Sequence, residues 1–401
     1  MEILAINRFL REHFEEYEKN HKIQAHLIQG CRKMMKCRTE ELGGSLYECP
    51  NGDYQKIVYN SCKHRACPSC NLINIENWLR RTQDNLIKTN HYHVIFTIPE
   101  ELNILFQLNR EKFTNILFKA SYESISKMMK GEYNVTAGAI ATLHTWARNL
   151  TLHPHIHMLI TAGGMDNETK KWKSSRDEWL VSVKALGVIF RGKLLDEIHK
   201  RVYEDKMILE KGFNRYRTHG LLKELRKKNW NVFVTDKYDH AKGIATYLAR
   251  YVKGGAISNR RILWYDEKEV SFYYYENKEE KKKVIMKLEK EEFIRRLLIH
   301  IPNRREVTVR RYGLYANYRS EKLRRIRREF EDNVNNAEER KPLKALEYMK
   351  ENELYEKNCK CPYCKTDLLL KGRYKREEIK KLKIFPREER PKEDQYHKKK
   401  A

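Results

Sequence analysis

Several short segments in the first two thirds of the chain have the hydrophobic pattern of buried β-strands. HYHVIFTIP (91–99) is an almost continuous apolar run, and VTAGAIATLHTW (135–146) and HPHIHMLITAGG (153–164) follow it. The polar ARNLT between the last two predicts a short connection, so these two strands are expected to pair antiparallel. NWNVFVTD (229–236) predicts a further strand. The pattern indicates a sheet with at least one antiparallel pair.

Apolar residues at helical spacing surround these strands. Segments 101–130 and 177–205 predict helices, and HAKGIATYLARYVKGG (240–255) predicts a helix that ends at two glycines. The N-terminal nineteen residues predict an amphipathic helix, and 261–315 predicts more strands around a short helix. After residue 319 the pattern is that of charged helices, and the last thirty residues are expected to be disordered. The fold class predicted is α+β.

The composition adds a strong positive charge to this picture. Lys and Arg number 82 against 55 for Asp and Glu, so the formal net charge is +27. A folding chain with such a surplus is expected to bind a polyanion, most commonly a nucleic acid. A merely basic soluble protein, or a protein that binds an anionic membrane surface, is the alternative.

The expected location of the protein is the cell interior. No apolar run approaches the roughly 18 residues that span a bilayer, and the N-terminus lacks the apolar region of a signal peptide. We therefore expect a cytoplasmic protein with no membrane partner. Cysteines in that compartment stay reduced and bind metals more often than they form disulfides.

Six of the nine cysteines lie in the first 70 residues. Cys67-Pro-Ser-Cys70 has the spacing that lets two thiolates bind one zinc ion from a tight turn, and other cysteines precede it at distances typical of a zinc ribbon. The preferred ligands of a structural Zn²⁺ are Cys49, Cys62, Cys67 and Cys70, with Cys37 and His64 in reserve. Free buried thiols are the alternative.

The other three cysteines lie near the end of the chain. Cys359, Cys361 and Cys364 supply only three thiols, and His397 is a remote candidate for a fourth ligand. The sequence leaves open whether a second zinc ion binds there.

Histidines are concentrated between residues 144 and 157. In a strand, His155 and His157 point to the same face, and the short turn brings His144 on the preceding strand beside them. Three neutral imidazoles on one face, with coordination positions left over, can hold a divalent ion. His153 lies nearer the turn and is a weaker candidate. The alternative is a set of hydrogen-bonded core histidines.

Two tyrosines on the predicted helix 240–255 offer a nucleophile. Tyr247 and Tyr251 are four residues apart, so they project from the same side of the helix. A core-facing aromatic stripe is the alternative. The surroundings are basic, which favours a phosphate-lined groove; the candidate DNA-binding residues there are Lys242, Arg250, Lys253, Arg260 and Arg261.

The histidine pair after an HTW strand, followed by a helix with two tyrosines, resembles the HUH single-strand endonucleases. More closely, the chain resembles the rolling-circle transposases of the insertion-sequence ninety-one family. The similar stretches spread over residues 37 to about 320 and are CRTEELGG, YNSCKHRACPSC, HYHVIFTIPEELN, LHTWARNLTLHPHIHMLITAGG, YLARYVKGGAISNRRI and IHIPNRREVTVRRYGLYANYR. The last stretch adds Arg310 and Arg311 to the candidate DNA-binding residues.

The resemblance implies a role for each candidate residue. His155 and His157, with His144 as third ligand, would hold Mg²⁺ or Mn²⁺, and Tyr247 and Tyr251 would be paired nucleophiles. The family's zinc region usually has C-x-x-C where this chain has CPNG at 49–52, and a histidine where this chain has alanine at position 66. Those departures are the reason that two reserve zinc ligands are kept.

The activity implied is metal-dependent nicking and strand transfer of single-stranded DNA through a 5′-phosphotyrosine, inside a bacterial or archaeal cell. The chemistry needs no ATP, and the sequence has no G-x-x-x-x-G-K-[ST] loop. A plasmid replication initiator or a conjugative relaxase would share this chemistry. A non-catalytic, zinc-dependent nucleic-acid-binding protein is a rival of another class.

The resemblance and the composition together predict four regions. Residues 1–85 form a helical, zinc-binding N-terminal domain, and 86–260 form an antiparallel-sheet HUH nuclease palm with flanking helices and the two-tyrosine helix. Residues 261–330 form a β-rich basic DNA-binding extension. Residues 331–401 form a charged helical tail with a potential zinc knuckle.

Overall fold

The computed structural model describes residues 5–70, 72–176, 180–234, 255–276, 282–317, 320–330, 342–351 and 359–382. The strands there are β1 (Gly44–Glu48), β2 (Gln55–Tyr59), β3 (His91–Thr97), β4 (Val135–Thr136), β5 (Gly138–Trp146), β6 (Leu152–Thr161), β7 (Gly163–Asp166), β8 (Trp172–Ser174), β9 (Val232–Val234), β10 (Ile262–Tyr265), β11 (Glu269–Tyr275), β12 (Lys283–Glu289), β13 (Val309–Gly313) and β14 (Leu369–Tyr374).

The helices in the described ranges are α1 (Ala5–Asn20), α2 (Ala25–Met35), α3 (Leu72–Asp84), α4 (Asn103–Leu108), α5 (Arg110–Tyr133), α6 (Val183–Tyr203), α7 (Arg215–Lys227), α8 (Lys290–Leu298), α9 (Glu321–Phe330), α10 (Ala345–Glu351) and α11 (Arg376–Ile379). The α+β prediction is confirmed, since helices and antiparallel sheets alternate along the chain. No helix in these ranges is long and apolar enough to cross a membrane.

The largest sheet in the described residues is a five-stranded antiparallel sheet with strand order β13-β5-β6-β3-β9. The predicted antiparallel pair is confirmed as β5 and β6, in which His144 lies opposite His155. The strand predicted at 91–99 is β3, and the one predicted at 229–236 is the short edge strand β9. The sheet therefore places the histidine-rich strand β6 at its centre.

One face of this sheet is covered by helices. Side chains alternate between the faces of a strand, so Ile156 and Met158 on β6 point away from the histidines. They join a large apolar cluster with Leu117 and Phe118 of α5 and Phe190 of α6. The long helical segments predicted at 101–130 and 177–205 thus exist because their apolar faces cover this side of the sheet.

Capping residues fix where two of these helices begin. The side chain of Ser182 accepts a hydrogen bond from the backbone N–H of Ala185, so α6 starts at the next residue. Asn214 caps α7 in the same way, through Arg217 N–H. Asn134, in the left-handed conformation with φ of 55°, ends α5 and turns the chain into β4.

A second core joins the N-terminal helices to residues from the later part of the chain. Phe9 and Phe14 of α1 pack with Phe272 of β11 and Phe293 of α8, and all four side chains are buried. Strands β10, β11 and β12 form an antiparallel sheet beside them. Residues that the sequence assigns to its first and third regions therefore share one core.

A third sheet joins the two ends of the described chain. β14 pairs antiparallel with β1, which pairs with β2. The expectation that the last thirty residues are disordered is therefore wrong for 372–382, where β14 ends and α11 follows. The segment is ordered because its backbone pairs with β1 and its charges meet acidic partners, as in the 3.7 Å contact between Lys380 Nζ and Glu40 Oε1.

Candidate metal centre

Three histidines meet on the face of the central sheet that lies opposite helices α5 and α6. His155 and His157 alternate along β6, and His144 reaches them from β5. One ring nitrogen from each lies within 4.8 Å of the others. The side chains are almost fully buried, with exposed fractions of 1% for His144, 9% for His155 and 5% for His157. The structure thus brings together the three histidines that the sequence selects.

Hydrogen bonds fix the orientation of two of these rings. His155 Nδ1 lies 2.6 Å from the carbonyl oxygen of His153. Because a carbonyl only accepts, Nδ1 carries the proton and Nε2 keeps a lone pair for a ligand bond. His157 Nδ1 lies 2.8 Å from His93 Nε2. These second contacts orient metal-binding imidazoles in many proteins.

His93 is a residue of the site that the sequence analysis does not assign. It lies on β3, where it is 2% exposed and its ring lies edge to edge and nearly coplanar with that of His157, at a centroid distance of 5.0 Å and an interplanar angle of 7°. Its signal in the sequence is the alternation of His91 and His93 at the start of the mostly apolar run 91–99. Only the pairing of β3 with β6 shows which histidine it meets.

Burial keeps the imidazoles of His144 and His155 neutral. Burial lowers the pKa of His155 to about 4. Burial, with the adjacent His155 and His93, lowers the pKa of His144 well below its ordinary value. Neutral imidazoles bind a metal without first losing a proton, so this donor set fits a divalent ion. Imidazole nitrogens suit Mn²⁺ better than Mg²⁺, which prefers oxygen ligands.

The two arginines of the predicted DNA-binding strand point to opposite faces of the sheet. In β13, Arg311 lies opposite Ile140, whose face carries the histidines, and its Nη2 donates to Thr82 Oγ1 at 3.2 Å. Arg310 points the other way, over the Phe118 ring at 4.7 Å and hydrogen-bonded to Asn115. The strand alternation thus separates Arg310 from the histidine face.

Arg261 is held by the protein backbone. Its Nε donates to the carbonyl of Tyr273 at 2.8 Å, and its Nη2 donates to that of Arg148 at 2.7 Å. This partly buried guanidinium is therefore a packing residue in the described structure, whereas the side chain of its neighbour Arg260 is exposed. The other basic candidates, Lys242, Arg250 and Lys253, lie outside the described residues.

Tyr247 and Tyr251, with the predicted helix 240–255, also lie outside the described residues. The structure describes the chain on both sides of them. Before them, Phe233 of β9 lies opposite Ile95 of β3, which lies opposite His157. Strands in a sheet are about 4.8 Å apart, so Phe233 is roughly 10 Å from His157 on the same face.

After the tyrosines, the described chain resumes at Gly255, against the cysteine-rich turn. A Cβ on Gly255 would lie 2.5 Å from the carbonyl oxygen of Ala66. Such an approach leaves room only for glycine. The segment with the tyrosines therefore begins at the edge strand of the histidine sheet and ends on the turn that carries Cys67.

Four thiols lie together beside this turn, and the set differs at one position from the four zinc ligands preferred from the sequence. Cys37, Cys62, Cys67 and Cys70 have their Sγ atoms within 4.8 Å of one another. Cys37 takes the place expected for Cys49, because α2 ends just before it, at Met35, and the chain turns back towards residue 62. His64 stays outside the cluster, and its Nδ1 accepts from the backbone N–H of Ala66 at 3.4 Å.

N–H groups donate hydrogen bonds to the sulfurs of this Cys37–Cys70 cluster, as they do to thiolates that bind a metal. The backbone N–H of Cys62 donates to Cys37 Sγ, and that of His64 donates to Cys62 Sγ, each at 3.4 Å. Asn7 Nδ2 donates to Cys67 Sγ at 3.5 Å. The neighbouring thiols and this amide hold the pKa of Cys67 well below its ordinary value. Four soft donors in this arrangement fit a zinc ion.

Cys49 lies instead in a second cluster with residues from the C-terminal segment. One ligand atom each from Cys49, Asp53, Cys361 and Cys364 lies within 4.8 Å of the others. Asp53 was not among the sequence candidates. Cys359 points elsewhere, with its Sγ 3.5 Å from Met349 Sδ, and the candidate His397 lies outside the described residues.

Two buried histidines outside the metal centre predict acid sensitivity. Burial lowers the pKa of His91 to about 4 and that of His300 to about 3. His91 Nδ1 donates to the carbonyl of Thr89, and His300 Nε2 donates to that of Leu150. Both stay neutral when folded but take up a proton near pH 6.5 when unfolded.

We therefore expect the free energy of unfolding to fall as the pH drops from about 6.5 towards 4, because the unfolded state then binds more protons. Each of the two sites contributes up to about 1.4 kcal/mol per pH unit in that window. Urea unfolding at pH 7.5, 6 and 5 measures the slope. In the His300→Gln variant, the slope of the unfolding free energy against pH should be smaller by the contribution of one bound proton, about 1.4 kcal/mol per pH unit. A urea midpoint of the unaltered protein that does not change between pH 7.5 and 5 would contradict the assignment.

Comparison with known families now identifies the class of protein. Residues 138–322, which include the histidine centre, match a family described as "Putative transposase". Residues 9–98, which include the Cys37–Cys70 cluster, match a family described as "Transposase zinc-binding domain" of IS91 type. Together they define a transposase with an N-terminal zinc-binding domain. The chain belongs to the insertion-sequence ninety-one (IS91) family of transposases.

Two curated relatives cover most of the chain. It is 30% identical over 303 residues to "Putative transposase y4qJ" of Sinorhizobium fredii, covering 73% of this chain and 75% of the relative. It is 27% identical over 301 residues to "Transposase for insertion sequence element IS801" of Pseudomonas savastanoi pv. phaseolicola, covering 72% of this chain and 70% of the relative. No solved structure is significantly similar to this chain.

Proposed function

We propose that this transposase nicks and transfers single-stranded DNA by HUH chemistry, with His144, His155 and His157 as ligands of a divalent ion. The observation that carries the proposal is the convergence of three buried imidazoles at the centre of an antiparallel sheet. Structural histidines need no such convergence, since hydrogen bonds satisfy them singly, as they do His91 and His300. The metal would be Mn²⁺ or Mg²⁺.

A bound divalent ion would polarise the scissile phosphate and offset the negative charge that builds up there. The chain's own residues provide the rest. The carbonyl of His153 and the ring of His93 hold His155 and His157 in the ligand orientation. Trp146 stacks on His144 at a ring distance of 5.0 Å and shields that side from water. Arg260 and Arg311 are the described basic candidates for backbone phosphates.

Tyr247 and Tyr251 are the proposed nucleophiles. The phenol of one loses its proton to solvent, its oxygen bonds to phosphorus, and the bond from phosphorus to the 3′ oxygen breaks; the leaving 3′ oxygen takes up a proton and becomes a free 3′-OH. One phosphodiester replaces another, and no ATP is required. The six residues from Val234 to the start of the predicted helix at His240 can span about 20 Å when extended, and the helix adds about 10 Å to Tyr247, against the roughly 10 Å between β9 and His157. The tyrosines are thus within reach of the centre.

The Cys37–Cys70 cluster is the proposed structural zinc site of the N-terminal domain. Its sulfurs fit this role, since Cys62 Sγ and Cys70 Sγ lie 3.7 Å apart and two thiolates on one tetrahedral zinc lie about 3.8 Å apart. The ion would hold the turn against which Gly255 packs, and so would position the end of the tyrosine segment.

We place the activity on DNA in the cytoplasm, as composition and family suggest.

The test is a covalent adduct. We expect the full chain, incubated with Mn²⁺ and single-stranded oligonucleotides from the element's ends, to form a protein–DNA product that survives denaturation. Mass spectrometry of the digested adduct should place the nucleotide on Tyr247 or Tyr251, and EDTA should prevent its formation. Tight DNA binding without any adduct would favour a non-catalytic, zinc-dependent binding protein, and an adduct on another residue would exclude the tyrosine assignment.

A further inference from the structure

The second cysteine cluster joins two turns that are far apart in the sequence. Cys49 and Asp53 lie in the turn between β1 and β2, and Cys361 and Cys364 lie in the turn before β14. Cys49 Sγ is 3.3 Å from Cys364 Sγ and 3.9 Å from Asp53 Oδ2. Cys49 is 1% exposed and Cys361 is fully buried. Cys364 is half-buried and Asp53 is exposed, so three thiols and one carboxylate meet with two of the thiols on the buried side.

Both turns are shaped to present their ligands. Gly52, in the left-handed region with φ of 78°, donates its N–H to the carbonyl of Cys49 at 2.9 Å. Lys365, with φ of 61°, donates its N–H to the carbonyl of Cys361 at 3.1 Å. A left-handed lysine is costly unless the surroundings require it. Each backbone therefore folds back on its first cysteine, as metal-binding knuckles do.

The apolar core around this cluster is small. Cys49, Cys361 and Leu368 are its buried members, and Tyr47 and Tyr54 pack against them. A core of this size contributes little free energy to holding a separate segment in place, and a metal ion commonly replaces it in small ribbons. The pairing of β1 with β14 brings the two turns side by side, with their thiols facing each other. A metal ion would bond these thiols together.

We propose that Cys49, Asp53, Cys361 and Cys364 bind a second Zn²⁺, which fastens the C-terminal segment to the N-terminal hairpin. Three sulfurs and one oxygen form a donor set that zinc accepts. Thr366 Oγ1 lies 2.9 Å from Cys364 Sγ and supports that thiolate as a hydrogen-bond donor. This site is separate from the Cys37–Cys70 cluster and does not depend on the nuclease proposal.

The first test counts metal ions in the intact full chain. We expect native mass spectrometry of protein purified with a reductant to show two Zn²⁺ per chain. Cys361→Ser with Cys364→Ser should show one, because the Cys37–Cys70 site is untouched. Cys359→Ser is the matched control, since its thiol lies beside Met349, and it should keep two. One zinc in the unaltered chain, or two in the double variant, overturns the proposal.

A second measurement needs no loss of ligand. In the chain loaded with Co²⁺, Asp53→Cys changes the second site from three thiolate ligands to four. The two sites together then have eight thiolate ligands in place of seven, so we expect the thiolate-to-cobalt charge-transfer absorption to rise in that proportion. An unchanged spectrum would show that Asp53 does not face a metal. A Cys49–Cys364 disulfide found by peptide mapping under the same reducing purification would also overturn the site.

Discussion

Replacing His155 and His157 together with alanine is expected to lower the rate of adduct formation by at least about 10³-fold. A catalytic divalent ion contributes several kcal/mol to stabilising a phosphoryl transition state, and about 4 kcal/mol corresponds to that factor. The two side chains lie inward with exposed fractions of 9% and 5%, so their removal leaves DNA-contacting surface intact. We therefore expect DNA affinity, measured by fluorescence anisotropy in EDTA, to stay within a few-fold of the unaltered protein.

His153→Ala provides the matched control for the histidine pair. His153 lies on the same strand as the pair. Its backbone carbonyl, not its side chain, orients His155, and alanine keeps that carbonyl. This variant should form the adduct within a few-fold of the normal rate. If it loses as much activity as the double variant, the loss comes from the strand and not from a metal centre.

His93→Ala gives an intermediate result that a purely structural histidine would not. Loss of an outer contact to a metal-binding imidazole costs about 10- to 100-fold in metal affinity or activity. Because His93 meets His157 and is outside the three-histidine cluster, raising the Mn²⁺ concentration should restore most of the rate. The double histidine variant should show no such recovery.

Cys67→Ser is expected to destabilise the N-terminal part of the molecule by at least about 3 kcal/mol and to lower its zinc content by one ion. Structural zinc contributes about 10–16 kcal/mol in small zinc-finger peptides. Here the effect is smaller because the aromatic core around Phe9 and Phe293 remains, and Cys67 itself belongs to that core. Thermal unfolding followed by tryptophan fluorescence, with zinc release measured by a chromogenic chelator, gives both quantities.

Cys31→Ala is the comparison variant for Cys67→Ser. Cys31 is equally buried in the same core, but its sulfur is not one of the clustered ligands, and burial raises the pKa of its thiol to about 12. We expect it to keep its zinc and to lose about 1 kcal/mol or less, as a small buried side chain does. Equal losses in the two variants would mean that Cys67 acts only as a core residue.

The local parts of the histidine centre were predictable from the sequence. A strand of alternating residues puts His155 and His157 on one face whatever surrounds it, and a short polar turn brings His144 beside them. The contact from His93 was not predictable, because it depends on which strand β6 takes as its second neighbour. The direction of Arg310 depends likewise on the register of β13 against β5.

The cysteine ligands show the same division between local and distant information. Cys67 and Cys70 share a turn, and their spacing alone brings them together. Cys49 is closer in sequence to Cys62 than Cys37 is, yet β1 carries it to the far end of a hairpin, where residues more than 300 positions later complete its cluster. Strand pairing across such a separation leaves no periodic signal in the chain.

The pairing of β1 with β14 also sets an order of events during synthesis. Glu48 and Lys371, which form an ion pair across these strands, are 323 residues apart. At about 5–20 residues per second, a ribosome needs roughly 15–65 s to make the intervening chain. During that time the β1–β2 hairpin has one open edge, with backbone groups that can pair with another nascent chain. The edge strand β1 carries Glu48, a charged residue of the kind that hinders pairing between two copies of an open edge, until Lys371 of the chain's own last strand arrives to pair with it.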